Sequence, residues 1–210
     1  MDPASIVGIV GALSAVVAML YMEGAEITNI LLPPPMILVF GGTILATMAS
    51  FTMRDFLYAF GQVPKAFTAK VPDATDAIDT IVSLSEKARR EGLLALEDAA
   101  KGIEDPFMRE GLMAAIDGMD PEDLRSMLTD KIEARKQSDK TAYGFFKQAG
   151  GYAPTIGIIG TVISLVHVLT QLSEPETLGP LIASAFVATL WGLMSANMIW
   201  LPISLSLIHI

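Results

Sequence analysis

Between Tyr152 and Leu172 the chain reads YAPTIGIIGTVISLVHVLTQL, without an Asp, Glu, Lys or Arg. At 1.5 Å of rise per residue, a helix of about 20 such residues crosses the hydrocarbon core of a bilayer. Three further stretches have the same character: Ala4 to Met22, Leu32 to Met53 and Leu178 to Ile203. The whole 210-residue chain is 52% hydrophobic and only 18% charged, more apolar than a soluble domain of this length. The expected fold class is therefore an all-α membrane protein with four transmembrane helices. Asp2 is the only charge before the first stretch, which lacks the basic start of a secretory signal and reads as a retained span. Pro154 is expected in the first turn of the third span, where its missing N–H costs little.

All fourteen Lys and Arg lie between Arg54 and Lys147, whereas the connections between spans carry only Glu23, Glu26, Glu174 and Glu176. Arg54, Lys65, Lys140 and Lys147 are close to span ends, where positive charge marks the cytoplasmic side. The middle segment is thus expected in the cytoplasm, and an even number of spans puts both termini there too. The formal charge of −9 argues against a nucleic-acid partner, which needs a basic surface. With no cysteine, there is no disulfide framework or thiolate chemistry.

The cytoplasmic region between spans 2 and 3 reads as helical. Helix starts are marked by Asp73 after Pro72, by Asp105-Pro106 and by Asp120-Pro121-Glu122-Asp123. Ile78, Ile81, Val82 and Ser85, then Leu93, Leu96 and Ala100, form narrow apolar stripes, and Gly92 is expected to separate the first helix from the next. The expected organisation is spans 1 and 2 over 1–53, the helical cytoplasmic region over 54–150, spans 3 and 4 over 151–203, and a tail over 204–210.

Little in the spans suggests an enzyme. His167 is the one imidazole there: an ionisable group in a membrane is a functional candidate, but a neutral imidazole bonded to a neighbouring helix or near the outer interface is the competing reading. No His-Glu-x-x-His or paired-carboxylate pattern offers a metal site. Small residues recur at Gly8, Gly11 and Ala15, at Gly42 and Ala46, and at Ser184, Ala188 and Gly192, which suits close helix approach in lipid. Gly157, Thr161 and Ser164 share one side of the third span, and Ala185, Thr189 and Ala196 one side of the fourth. Two hydroxyls can then face one narrow path, or each can bond the carbonyl one turn back.

The residues also carry a family resemblance. The stretch from Ala153 to Val162, followed by Leu165 to Leu169, is similar to the third span of the MotA and PomA flagellar stator family. Leu178-Gly179-Pro180, Ala183 to Leu190, Ser195-Ala196-Asn197 and Trp200-Leu201-Pro202 resemble its fourth span. Gly41-Gly42-Thr43 resembles its second, and Ala88 to Glu97 its charged cytoplasmic motif. The ExbB and TolQ relatives carry one span before their large cytoplasmic region; here two are expected, which favours the flagellar branch. A non-conducting membrane scaffold is the alternative from another class, and it predicts tolerance of a bulky residue at Thr189.

The resemblance implies a homopentameric ring in the bacterial inner membrane around a pair of MotB-like, single-span, peptidoglycan-binding chains. It implies no cofactor, the transported ion being H⁺ or Na⁺. The spans have no carboxylate, so an Asp of the partner would bind and release the ion. Thr161 and Thr189 match positions lining that route, Pro154 and Pro202 match prolines that couple ion passage to movement, and Arg89 and Glu97, with Arg90 nearby, match charges that meet the rotor protein FliG. The Gly-Thr-Val pattern at Thr161 resembles sodium-type stators, where many proton-type ones carry alanine. Ser164 and Trp191 depart from the glycine and tyrosine usual there. Leu205 to Ile210 match what a transposon-end adapter encodes, in place of the family's basic tail, so a truncated reading frame is expected and His209 is not a candidate site.

Overall fold

A computed structural model describes residues 3–68 and 74–209. The regular structure of these residues is all helical, with no strand among them. Ten α-helices follow in order: α1 Pro3–Met22, α2 Pro33–Met36, α3 Gly42–Met48, α4 Met53–Thr68, α5 Ala74–Glu91, α6 Glu97–Lys101, α7 Pro106–Ile116, α8 Pro121–Thr170, α9 Pro175–Ser195 and α10 Leu201–His209. Two wide π turns interrupt the apolar helices, Ile37–Gly41 between α2 and α3 and Ala196–Trp200 between α9 and α10. Two helical stretches are long and apolar enough to cross a membrane, Pro121–Thr170 and Pro175–Ile208, and two shorter apolar ones are Ile6–Met22 and Pro33–Met48.

The expected helix boundaries can be read in atoms. Asp105 caps α7 by accepting from the Phe107 and Met108 amides at 2.7 and 3.0 Å. Asp120 accepts from the Glu122 amide at 2.9 Å, with Pro121 at the first position of α8. Gly92 has φ of +85°, a conformation that glycine alone adopts cheaply, and it ends α5 before a 3₁₀ turn at Leu93–Leu96. The start predicted at Pro72-Asp73 lies outside the described residues, as does Ile210 of the expected tail.

Pro154 departs from expectation. It stands inside α8, a single 50-residue helix, rather than in a first turn. The cap at Asp120 starts a helix that does not stop where the apolar run begins, so no new helix start exists near Pro154. Its missing N–H therefore removes a bond from a helix interior, where the ring also crowds the carbonyl one turn back.

The chain forms two compact units, Met1–Lys70 with Asp139–Ile210, and Val71–Ser138. The first is built on an aromatic core. Phe145 and Phe146 are fully buried, Phe51, Phe56 and Phe60 lie 5.4 to 5.7 Å from the Phe145 ring by centroid, and Trp200 stacks on Phe146 at 6.4 Å. Ala59, Ala66, Ala142, Ala149 and Ala153 fill the gaps between rings. α10 packs on α4, and its Ser206 hydroxyl donates to the Ala66 carbonyl at 2.5 Å. Burying hydroxyls with such partners avoids the cost of an unpaired polar group.

In the second unit, α7 lies against the start of α8, where the Leu128 side chain approaches Gly111 and Lys131 pairs with Glu110. Leu96 and Ala100 of the expected stripe are buried, but Ile78, Ile81 and Val82 remain about half exposed. A groove of about 620 Å³ opens among Ile81, Leu84, Leu96, Met108, Leu112 and Leu128.

Candidate functional site

The crossing of α8 and α9 begins from two glycines. A Cβ placed on Gly157 would stand 2.8 Å from the Ala188 carbonyl oxygen, and one on Gly192 would stand 2.8 Å from that of Ala153. These contacts are reciprocal and involve backbone, so only glycine at both positions lets the helices come this close. Gly160 continues the seam against the Ala188 methyl and Leu38. Pro154 belongs to the same crossing, with its Cα 3.3 Å from the point where a Gly192 Cβ would sit.

One turn along α8 from Gly157, that close approach brings the two predicted hydroxyls together. Thr161 Oγ1 and Thr189 Oγ1 are 2.5 Å apart. Thr161 Oγ1 also reaches the Gly157 carbonyl at 3.2 Å and the Ala185 carbonyl, across the helix pair, at 2.9 Å. A hydroxyl has one proton to donate, so Thr161 can serve only one of these acceptors at a time. Both readings of the hydroxyls hold in part: Thr161 has the carbonyl one turn back within reach, and it also meets Thr189. The result is four oxygens without a formal charge, two hydroxyls on half-buried threonines and the carbonyls of Gly157 and Ala185, in an otherwise apolar wall. Such a group can solvate a small cation or proton carrier in passing, but cannot hold one by charge.

Ser164 and Ala196 are not brought into this cluster by any hydrogen bond, and Ala196 lies in the aromatic core. Pro202 follows the π turn at Ala196–Trp200, in which the Leu201 amide reaches back to the Ala196 carbonyl. A π turn beside a residue without an N–H is a place where the backbone ladder is already loosened. His167 is exposed; its ring nitrogen has a 3.5 Å contact with Thr170 of its own helix, and it borders an open hollow of about 460 Å³ with Glu174 and Glu176.

The charged candidates lie in the other unit. Arg89 is exposed and has no ion pair within 4.0 Å among the described residues, whereas Arg90 pairs with Glu86 at 3.4 Å. Glu97 pairs with Lys101 at 3.1 Å, and hydrogen bonds from Lys101 to Glu97 and then Asp98 hold the ammonium above the usual lysine range. The turn at Gly92 separates Arg90 from Glu97, so the two do not share one continuous helix.

Three features were not anticipated from the residues. They are the Ala185 carbonyl beside Thr161, the Lys101 partner of Glu97, and a bond from the Trp191 indole to the Ile30 carbonyl. Only the second had a visible signal, a lysine four residues after a glutamate. Among the described residues no cluster of three or more His, Cys, Asp or Glu is placed to hold a metal.

Residues 99–209 match the model of the MotA/TolQ/ExbB proton channel family, and residues 6–92 that of the motility protein A N-terminal region. The chain is 39% identical over 170 residues to YtxD of Bacillus subtilis, covering 81% of this chain and 62% of that protein's length. It is 32% identical over 207 residues to motility protein A of the same organism, covering 96% of this chain and 75% of that one. Its structure is similar to the flagellar MotAB stator complex of Bacillus subtilis, with a TM-score of 0.86, 31% identity, and coverage of 97% of this chain and 81% of that one.

Proposed function

The chain belongs to the MotA/TolQ/ExbB proton channel family, and from that premise we propose that it is the larger membrane subunit of a flagellar motor stator, turning ion flux into torque with a MotB-like partner. The family is one of ion channels rather than enzymes. The observation that carries the ion role is the Thr161–Thr189 contact across the glycine crossing, in spans that hold no carboxylate. An ion path needs a group that binds and releases charge; here the hydroxyls supply oxygens, and the partner's acidic residue supplies the charge.

The chain works as an oligomer with its partner, which we take to be a pentamer around two MotB-like chains. Four spans are its membrane part, α1, α2 with α3, the apolar end of α8, and α9 with α10. The Lys and Arg confined between Arg54 and Lys147 favour a bacterial inner-membrane protein with both termini in the cytoplasm. Two apolar helices precede the charged region, and residues 6–92 match the motility protein A N-terminal model, which supports the flagellar branch over the ExbB and TolQ one. One monovalent ion crossing 100 mV releases about 2.3 kcal/mol, enough to bias a ring between preformed states. Pro154 and Pro202 are the points where the helices yield. Arg89 and Glu97, with Arg90 beside them, face the rotor protein FliG.

The transported ion is H⁺ or Na⁺. Hydroxyl and carbonyl oxygens around Thr161 favour Na⁺, a hard cation, whereas a proton needs no such cage. The experiment is swimming of a stator-deleted host carrying a full-length version and its MotB-like partner, with external sodium varied at fixed pH. Speed that rises with sodium, and loses that dependence in Thr161→Ala, supports the sodium reading. Speed independent of sodium in both chains assigns the proton, and no swimming in any condition removes the stator reading.

A further inference from the structure

Trp191 is engaged on the side of α9 away from the hydroxyl pair. Its indole N–H donates to the Ile30 carbonyl at 2.6 Å, at the end of the 3₁₀ turn Ile27–Ile30 in the first connection. Its ring lies 5.7 Å from that of Phe40, in the π turn between α2 and α3, at an interplanar angle of 56°. Two residues at about 100° each place Trp191 roughly 200° around the helix from Thr189. α9 is therefore held on opposite sides, by Thr189 against Thr161 and by Trp191 against Ile30 and Phe40.

The glycine crossing gives the second hold its importance. Gly157 on Gly192 gives a close contact of backbone on backbone, in which the small Ala188 methyl beside Gly160 is a shallow ridge that resists turning of α9 about its own axis only weakly. A hydroxyl about 4 Å from that axis moves by about 1 Å for a turn of about 15°, given the radius of an α-helix. That displacement breaks a contact as short as the one between Thr161 and Thr189, or the 2.9 Å contact to the Ala185 carbonyl.

We propose that Trp191 is a positioning residue for the hydroxyl pair, fixing through its bond to Ile30 the rotation of α9 at which Thr189 meets Thr161. The proposal rests on the reading of Thr161 and Thr189 as groups of the ion path. Trp191 acts through the helix and touches no ion itself. Its removal should change how much ion is needed, not how fast a saturated motor turns.

The test uses full-length versions with the MotB-like partner in a stator-deleted host, measuring swimming speed against the concentration of whichever ion drives it. Trp191→Phe keeps a ring and removes the donor; Trp191→His keeps an N–H two bonds from Cγ, where the indole has its own. We expect Trp191→Phe to raise the half-saturating ion concentration about two- to tenfold, the range of one lost hydrogen bond, at nearly unchanged maximal speed. Trp191→His should recover at least half of that shift, and Trp191→Phe should add nothing in a Thr189→Ala background. Equal shifts in the Phe and His variants, or a lower maximal speed at unchanged half-saturation, would overturn the proposal. If Trp191→Phe does not reach the membrane, Trp191→His decides alone, and a shift as large as that of Thr189→Ala overturns it. Thr161→Ala and Thr189→Ala that both leave the ion dependence untouched would remove the ion-path reading itself, and the positioning role with it.

Discussion

At the scale of single residues, a site without charge depends on how close its helices come. Gly192 is bordered by backbone, the Ala153 carbonyl and the Cα atoms of Pro154 and Gly157, so an added methyl cannot be absorbed by swinging a side chain. Gly192→Ala should therefore destabilise the assembled complex by about 1–3 kcal/mol, the usual cost of overpacking, and lower ion-driven speed. Gly11, where an added methyl would meet nothing within 4 Å in the isolated chain, is the control. Thermal unfolding of the purified complex checks this, and equal midpoints for both variants would mean that the crossing is not tight. The scaffold alternative is tested beside it, since it tolerates a bulky residue at Thr189 and the ion-path reading does not.

The charges proposed for the rotor contact belong to the same scale. Arg89 stands without an ion pair among the described residues, while Glu97 is already held by Lys101. Exposed pairs of this kind contribute little stability, and charge on such a surface governs approach more than final affinity. Arg89→Glu and Glu97→Lys should each lower torque while leaving membrane level and assembly intact, read by swimming and by pull-down of the partner. Normal swimming in both would take these residues out of the rotor contact.

At the scale of elements, Pro154 shows what sequence could and could not reveal. The apolar run from Tyr152 marks a membrane segment, but apolarity says where lipid is, not where a helix begins. The true start is the Asp120 cap, 32 residues before Tyr152, and α8 runs through without a second one. Local signals were legible where one residue type carries the reason, as at Asp105, Asp120 and the positive-φ Gly92. The facing hydroxyls were legible as two separate helix faces, at Gly157 with Thr161 and at Ala185 with Thr189. Their meeting was not, because it depends on the glycine crossing between helices distant in sequence. The π turns carried no signal in the residues; each holds one aromatic side chain, Phe40 and Trp200, whose rings lie 6.5 Å apart between segments distant in sequence. A prediction follows from the placement of Pro154. Pro154→Ala restores an N–H to a helix interior, so the variant should unfold at the same temperature as the parent or higher. It should nevertheless lose torque, because the yielding point is gone. Full speed would dismiss the coupling role, and failure to assemble would make the proline structural.

At the scale of the whole molecule, the distribution of charge defines what the chain can do alone. Every lysine and arginine lies between Arg54 and Lys147, and none of the four apolar stretches carries Asp, Glu, Lys or Arg. On the function proposed above, a ring of such chains would line a membrane path with hydroxyls and carbonyls but would have no carboxylate to exchange with an ion's hydration shell. On that reading conduction belongs to a complex, in keeping with the likeness to the flagellar MotAB stator complex. The most direct measurement is ion flux into vesicles holding a full-length version alone, with its MotB-like partner, and with a partner whose intramembrane Asp is changed to Asn. The account predicts flux only in the second case. A robust current from the chain alone would contradict it, and would shift the charge-handling role to His167 or to a water-filled pore.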